Sequence, residues 1–151
     1  MKLEEALQTA KFESVQHKAL LNVFYTSYWY RTHVSAVLKQ YGLTSEQFNV
    51  MRILRGKHPE ALCVKNIGSR MIEKSSNVPR IIDRMILKGY AVRTQSPEDR
   101  RETLVSLTEK GIEQLTKASE AMTKLSGEIV GLSDKQAAQL HELLEVLRLK
   151  D

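Results

Sequence analysis

Apolar residues recur every three or four positions near both ends of the chain, which is the period of an amphipathic helix. The N-terminal stretch predicts one long helix over residues 14–41, which Gly42 ends. Toward the C-terminus, Thr108 and Ser133 are suited to N-caps, and each precedes another periodic stretch. The apolar stripes predicted for these terminal helices are Leu20, Val23, Phe24, Val34, Val37, Leu38, Tyr41, Ile112, Leu115, Met122, Leu125, Ile129, Leu140, Leu143, Leu144 and Leu147.

The middle of the chain predicts shorter helices. Thr44 and Gln47 have the spacing of a capping box, in which a hydroxyl and an amide satisfy backbone donors at the start of a helix. This second helix is predicted to carry an inner stripe of apolar residues and to end before residue 56. A short third helix is predicted over residues 64–71.

A fourth helix is predicted to end near Lys88, where Gly89 suits the left-handed position that closes a helix. Pro79 lies inside this stretch, and proline is tolerated only in the first turn, where backbone donors lack helical partners. The helix is therefore predicted to begin at Ser75 or Ser76, with one of these hydroxyls as its cap.

After the fourth helix the pattern changes to one typical of strands. Residues 90–94 and 103–107 are rich in β-branched side chains, and residues 96–99 have the composition of a turn. The order is then helix, short helix, helix and hairpin. This order is a common way to place one helix in the major groove of DNA with a loop beside it.

Composition sets the class of protein without naming a function. The 151 residues, 42% of them hydrophobic, fit one globular domain of ordinary size. Cys63 is the single cysteine, so no internal disulfide is possible, which is typical of the cytoplasm. No secretory signal follows Met1 and no apolar run is long enough for a membrane helix. We expect a cytoplasmic chain with no membrane partner.

The positive charge is concentrated in one part of the chain. The net charge is +5, and residues 65–101 contain nine basic and four acidic side chains. Residues 102–151 contain six basic and nine acidic side chains. This asymmetry predicts a local surface that binds an anion.

The predicted fourth helix has two distinct faces. Ser76, Arg80 and Arg84 are spaced four residues apart and share one side with Asn77, whereas apolar residues such as Ile82 share the other. Arginine can bond a guanine edge with two hydrogen bonds, and asparagine can do the same with adenine. An ordinary solvated helix surface is the alternative, but the adjoining basic hairpin favours a DNA-binding face.

Five stretches of the sequence together resemble the MarR family of transcription regulators. Residues 43–48 resemble the start of that family's second helix. Residues 76–85 and 88–90 resemble its recognition helix and the end of that helix. Residues 93–101 and 107–111 resemble its wing signature. The resemblance extends over nearly the whole chain, including the long helices at both ends.

The resemblance implies a mainly α, winged helix-turn-helix fold with a two-stranded β wing and long N- and C-terminal dimerisation helices. Within the single chain 1–151, residues 43–107 would bind DNA, and residues 1–41 and 109–151 would form the dimerisation helices. The implied function is that of a sequence-specific regulator of duplex DNA. It would be a repressor, acting as a homodimer on a near-palindromic operator and released by a small-molecule effector.

The resemblance also implies roles for individual residues. Arg101 would enter the minor groove, while Asp99 would brace the wing by pairing with Arg93 or a neighbour. Pro79 departs from the family, which often has a hydrogen-bonding residue there, so contact with a thymine methyl is expected instead. The DNA contacts predicted are Ser75, Ser76, Asn77, Pro79, Arg80, Arg84, Arg100 and Arg101.

Many relatives in this family respond to aromatic ligands or to oxidants. Tyr25, Tyr28, Trp29 and His33 form an aromatic cluster on the first long helix. These residues are predicted either to line a pocket for a small aromatic effector or to pack at the dimer junction. Cys63 is either an inert buried thiol or a redox-sensitive one at a helix start.

Other classes of function find little support. The sequence has no Gly-rich phosphate loop and no nucleophile elbow, so no enzyme is predicted. Its histidines and its cysteine lack the paired spacing of metal ligands, so neither a metal nor another cofactor is predicted. The remaining alternative is a winged-helix module that binds protein and not DNA. Arg80, Arg84, Arg100 and Arg101 argue against it.

Overall fold

The structure is a computed structural model, and it describes residues 1–74, 77–99 and 101–149. These residues form a mostly helical chain with one small antiparallel sheet. The helices are α1 (Leu3–Leu7), α2 (Val15–Gln40), α3 (Ser45–Arg55), α4 (Val64–Arg70), α5 (Val78–Leu87), α6 (Glu109–Ile129) and α7 (Asp134–Leu147). The strands are β1 (Leu62–Cys63), β2 (Ala91–Gln95) and β3 (Thr103–Leu107).

The predicted caps of α3, α6 and α7 are confirmed. The Oγ atoms of Thr44, Thr108 and Ser133 each accept a hydrogen bond from the backbone three residues on. In α3 and α7 the returning glutamine bond of the capping box is also present. Local sequence therefore fixes the start of these helices, because each cap satisfies donors that the helix itself leaves unpaired.

The predicted start of α5 is wrong. Asn77, not Ser75 or Ser76, is the N-cap, and its carbonyl accepts the first helical bond from the Ile81 N–H. Pro79 is the second helical residue, a position that suits its fixed φ angle. A cap at residue 75 would have needed an N–H on Pro79 for its first helical bond, and proline has none. Ser75 and Ser76 themselves lie outside the described residues.

The sheet has one more strand than the sequence predicted. Its order is β1-β3-β2, with both pairs antiparallel. In β3, Val105 lies opposite Leu62 of β1 and Arg93 of β2, and Val105 itself is fully buried. The two-residue β1 was missed because it is too short to show a period of two. It pairs with the middle of β3, and its Leu62 belongs to the buried core, so β1 connects the hairpin to the helices.

One core joins the middle of the chain to parts of α2 and α6. Its fully buried large side chains are Leu38, Val50, Met51, Leu54, Ile67, Ile82, Met85 and Val105. At the entrance to α6, the Thr108 hydroxyl donates to the carbonyl of Gly89 over 2.7 Å, and Gly89 has a φ of 73°. A Cβ atom on Gly111 would lie 2.1 Å from the carbonyl oxygen of Tyr90. This close approach sets where α6 leaves the sheet.

The five-residue α1 was also missed, because one turn of helix is too short for periodicity to reveal. Leu3 is buried, and Lys18 of α2 forms an ion pair with Glu4. Hydrogen bonding to Lys18 lowers the pKa of Glu4. Among the described residues, no helix combines the length and apolar character needed to cross a bilayer.

Candidate nucleic-acid interface

The two faces of α5 are as the sequence predicts. Val78, Ile82 and Met85 are buried in the core. Asn77, Pro79, Arg80 and Arg84 are exposed, and they lie along the outer side of the same helix. The structure thus brings together the four described residues that were predicted for this helix. It places two guanidinium groups and a helix N-terminus on one accessible surface, which suits a phosphate or a base edge.

The start of α3 lies beside this surface. A shallow cavity of about 270 Å³ is lined by Thr44, Glu46 and Gln47 from α3 and its cap, and by Asn77, Arg80, Ile81 and Arg84 from α5 and its cap. A hydrogen bond with Thr44 lowers the pKa of Glu46, as do its own backbone N–H and the nearby charge of Arg31. The Glu46 carboxylate is therefore ionised and would repel a phosphate. The arginine side of the cavity is the part that favours an anion.

The tip of the wing is ordered by its own hydrogen bonds. Ser96 is buried, and its hydroxyl accepts from the N–H groups of Glu98 and Asp99 over 3.3 Å each. The Asp99 carboxylate in turn accepts from the Arg101 N–H over 2.9 Å. Asp99 therefore braces the tip through a neighbour, one of the two alternatives that the sequence left open. The Arg101 side chain is exposed on this tip, and Arg100 lies outside the described residues.

The other alternative, a pairing of Asp99 with Arg93, is wrong. Arg93 instead forms an ion pair with Asp83 of α5 over 2.5 Å, and it also donates to the Pro79 carbonyl over 3.4 Å. Asp99 is occupied at the far end of the hairpin, whereas Arg93 sits in β2 beside α5. No local pattern reveals this pair, because Asp83 in α5 and Arg93 in β2 are ten residues apart in the chain.

The Arg93–Asp83 pair has a consequence for the whole interface. It connects β2, the strand that leads to the wing tip, directly to the helix that bears Arg80 and Arg84. The Arg93 and Asp83 side chains are 36% and 53% exposed, so the pair is a local orienting contact and not a large source of stability. The helix face and the wing are thus parts of one surface.

The aromatic cluster of α2 is divided between two sides of the helix. Tyr28 lines a large open groove of about 2090 Å³ between α2, α3 and α6, whereas Tyr25, Trp29 and His33 are not among the lining residues. Trp29 and His33 contact each other, with ring centroids 4.8 Å apart, and His33 Nδ1 lies 2.8 Å from the Trp29 carbonyl oxygen. Within one chain the four residues therefore do not form a single pocket.

The same groove contains charged groups that the sequence did not single out. Arg31 of α2 forms an ion pair over 2.7 Å with Glu73, which lies in the turn that leads toward α5. Asn49 of α3 accepts a hydrogen bond over 3.0 Å from the Ile72 N–H in the same turn. The groove wall is thus in direct contact with the segment before the candidate DNA-binding helix. Pairings between elements so far apart in the chain leave no sign in local spacing.

Two of the terminal helices expose apolar side chains. In α7 none of the described residues is buried, and Leu143 and Val146 are 67% and 61% exposed. In α2, Phe24 and Tyr28 are 78% and 68% exposed. Helices of this kind bury their apolar face against another element, and one chain offers α7 little such surface.

Comparisons with known proteins agree with this geometry. A family profile for winged helix DNA-binding domains matches residues 43–111. YkoM, an uncharacterized HTH-type transcriptional regulator of Bacillus subtilis (strain 168), is 34% identical over 108 residues, which cover 71% of this chain and 69% of that protein. The crystal structure of a MarR transcription factor from Planctomyces limnophilus superimposes with a TM-score of 0.70, over 92% of this chain and 99% of that one. The two sequences are 30% identical.

A more distant structure shares the fold. CouR from Rhodococcus jostii RHA1, solved with p-coumaroyl-CoA bound, is 20% identical, with a TM-score of 0.75 over 93% of this chain and 98% of that one. The fold, the basic helix face joined to a wing, and these similarities lead to one conclusion. The chain belongs to the MarR family of winged helix-turn-helix transcription regulators, and it is a DNA-binding regulator of transcription.

Proposed function

We propose that the protein is a repressor that binds a near-palindromic operator in duplex DNA as a homodimer. One observation carries the proposal: the exposed arginines of α5 and the wing belong to one surface, because Arg93 of β2 pairs with Asp83 of α5. A helix and a β-loop held side by side can contact the major groove and the adjacent minor groove together.

The proposal gives each candidate residue a role. Arg80 and Arg84 bond base edges or phosphates in the major groove, and Asn77 reads an adenine or a phosphate at the helix start. Pro79, which is exposed, contacts a thymine methyl. Arg101 inserts into the minor groove, where a narrow and negative channel attracts a guanidinium. Arg100 is proposed to assist it, and Ser75 and Ser76 to contact phosphates, all three from outside the described residues.

The exposed apolar faces support the homodimer. A second copy would cover the terminal helices of residues 1–41 and 109–151, including the exposed leucine and valine side chains of α7. A two-fold axis would then set the two copies of α5 about one turn of DNA apart, roughly 34 Å. An operator with matching two-fold symmetry follows from this arrangement.

The groove beside α2 supports a small-molecule effector. Tyr28 and Phe48 give its wall an aromatic character, and the Arg31–Glu73 pair connects that wall to the turn before α5. CouR, which has the same fold, is known with p-coumaroyl-CoA bound. We propose a small aromatic ligand for this groove. Tyr25, Trp29 and His33 remain proposed contributors at the dimer junction, where a partner would adjoin them.

The remaining proposals concern class and compartment. The relatives are named as transcriptional regulators, so we infer that the protein is not an enzyme. A single buried cysteine, Cys63, and membership of this family support a cytoplasmic location. The low exposure of Cys63 supports an inert thiol.

The decisive experiment is selection of duplexes from a random-sequence pool by the purified full chain, followed by gel-shift titration at several salt concentrations. We expect one near-palindromic sequence to be enriched. The logarithm of its affinity should fall linearly with the logarithm of salt concentration, with a slope of about −0.9 per phosphate neutralised. Failure to enrich any sequence would overturn a sequence-specific repressor. A footprint without two-fold symmetry would overturn the symmetric dimer.

A further inference from the structure

The corner between α2 and α3 is held by side chains from other parts of the chain. After α2 ends, Gly42 turns the chain with a φ of 64°, and Thr44 then caps α3. Gln47, in the first turn of α3, is only 3% exposed. Its Oε1 atom accepts from the Thr44 N–H over 3.2 Å, which completes the capping box. A buried amide oxygen of this kind can accept a second hydrogen bond.

Lys88 supplies that second bond. It is the C-cap residue of α5, and its Nζ atom lies 3.2 Å from Gln47 Oε1 and 2.5 Å from the carbonyl oxygen of Gly42. One ammonium group therefore joins the end of α5 to the corner and to the first turn of α3. Both acceptors are neutral oxygens, so these are charge-assisted hydrogen bonds and not an ion pair.

Two side chains of α6 also bond to the end of α5 and to the corner between α2 and α3. Lys110 donates from Nζ to the carbonyl of Lys88 over 2.8 Å, and Gln114 donates from Nε2 to the carbonyl of Tyr41 over 2.7 Å. The corner is thus held by α5 through one side chain and by α6 through another. The family resemblance identified the end of α5 by sequence but assigned no role to the lysine there.

We propose that Lys88 is a positioning residue for DNA recognition, because it fixes the angle at which α5 presents Arg80 and Arg84. The proposal rests on α5 being the recognition helix of the proposed function. The ten residues of α5 span about 15 Å, so a tilt of about 4° at one end moves the other end by about 1 Å. Hydrogen bonds to base edges require distances within a few tenths of an ångström, so such a tilt would cost specificity.

A different role for Lys88 makes a different prediction. If its charge simply attracts phosphate, its removal should weaken binding to every duplex equally and reduce the salt slope by about 0.9. If it positions α5, its removal should weaken binding to the selected duplex much more than to a scrambled one. The ratio of the two affinities therefore separates positioning from plain attraction.

The test uses the full-length protein with Lys88→Met, which keeps the length of the side chain and removes its donors. We expect the ratio of selected to scrambled affinity to fall about tenfold, the size of effect typical of a lost charge-assisted bond. Affinity for the scrambled duplex should be nearly unchanged. Lys117→Met is the matched control, because it removes the same charge from an exposed position on α6. It should leave the ratio as it is.

A second pair of variants approaches the same contact from its acceptor. Gln47→Met removes the Oε1 acceptor and should lower the ratio of selected to scrambled affinity. Gln47→Glu keeps an oxygen that Lys88 can bond, so this variant should have a ratio close to that of the unaltered protein. Circular dichroism below the melting temperature shows that each variant is folded. Equal loss on both duplexes, or an unchanged ratio in Lys88→Met and Gln47→Met, overturns the proposal. If the unaltered protein itself prefers no duplex, the proposed function has failed first.

Discussion

Many apolar side chains are buried in the middle of the chain, whereas those of its last helix are exposed or only partly buried. Between residues 43 and 111, the side chains of Val50, Met51 and Ile82 are fully buried within one chain. In α7, Leu143 and Val146 are mostly exposed. The first region finds its packing partners within one chain, some of them in α2 and α6. The last helix, α7, has few such partners. Its exposed apolar side chains are explained if another surface covers them, as the proposed dimer would.

The division does not follow the ends of the helices. Leu38 near the end of α2 and Leu115 in α6 belong to the central core, whereas Phe24 farther back along α2 is exposed. Both long helices therefore begin or end inside the core and extend beyond it. This arrangement would let a change at a dimer interface reach the DNA-binding surface through continuous helices.

The largest effect should come from the central region, at Gly111. Gly111→Ala places a Cβ atom 2.1 Å from the Tyr90 carbonyl oxygen, so α6 or the segment between α5 and β2 must move. We expect the free energy of unfolding to fall by about 3 kcal/mol, a typical cost of overpacking. Urea denaturation measures it. Gly127→Ala, also in α6, meets nothing within 4 Å and should be neutral or slightly stabilising. Equal effects from the two would contradict the close contact.

The second largest effect concerns binding and not folding. Arg101→Ala removes the exposed guanidinium at the wing tip and should weaken operator binding by about 2 kcal/mol if it inserts into the minor groove. Gel-shift titration at fixed salt gives the difference. Lys135→Ala removes one positive charge from α7 and serves as the control. Normal affinity in Arg101→Ala would remove the wing tip from the mechanism.

Features that depend on neighbouring residues could be predicted from the sequence, whereas contacts between distant residues could not. The long helices, the capping box at Thr44 and the hairpin all follow from local patterns, because caps and periodicity involve residues a few positions apart. The start of α5 was missed, since hydroxyl preference pointed to Ser75 or Ser76, whereas the first helical bond runs from the Ile81 N–H to the Asn77 carbonyl. The partner of Arg93 was missed too. Asp83 is ten residues away, and local spacing carries no information about such a contact.

The third prediction tests the terminal region directly. Leu143 is 67% exposed, so Leu143→Ala should leave the folding of a single chain nearly unchanged. If a partner covers it, self-association should weaken by about 1.5 kcal/mol, or roughly tenfold in Kd. Sedimentation equilibrium over a range of concentrations measures this. Glu142→Ala, the adjacent residue on the same helix, is the control. An unchanged Kd for Leu143→Ala would place the interface elsewhere.

The smallest effect on folding is expected at the Arg93–Asp83 pair. Exposure to solvent limits the stability that the pair contributes, but the pair orients the wing relative to α5. A double-mutant cycle with Arg93→Met and Asp83→Asn should give a coupling of about 0.5 kcal/mol to folding, since both side chains are substantially exposed. The same cycle measured on operator affinity should give a larger coupling, because the pair orients the wing relative to α5. If the two coupling energies are equal, the pair merely stabilises the fold. A coupling seen only in binding would show that the pair is not needed for folding. It would show that the pair is needed for α5 and the wing to contact DNA together.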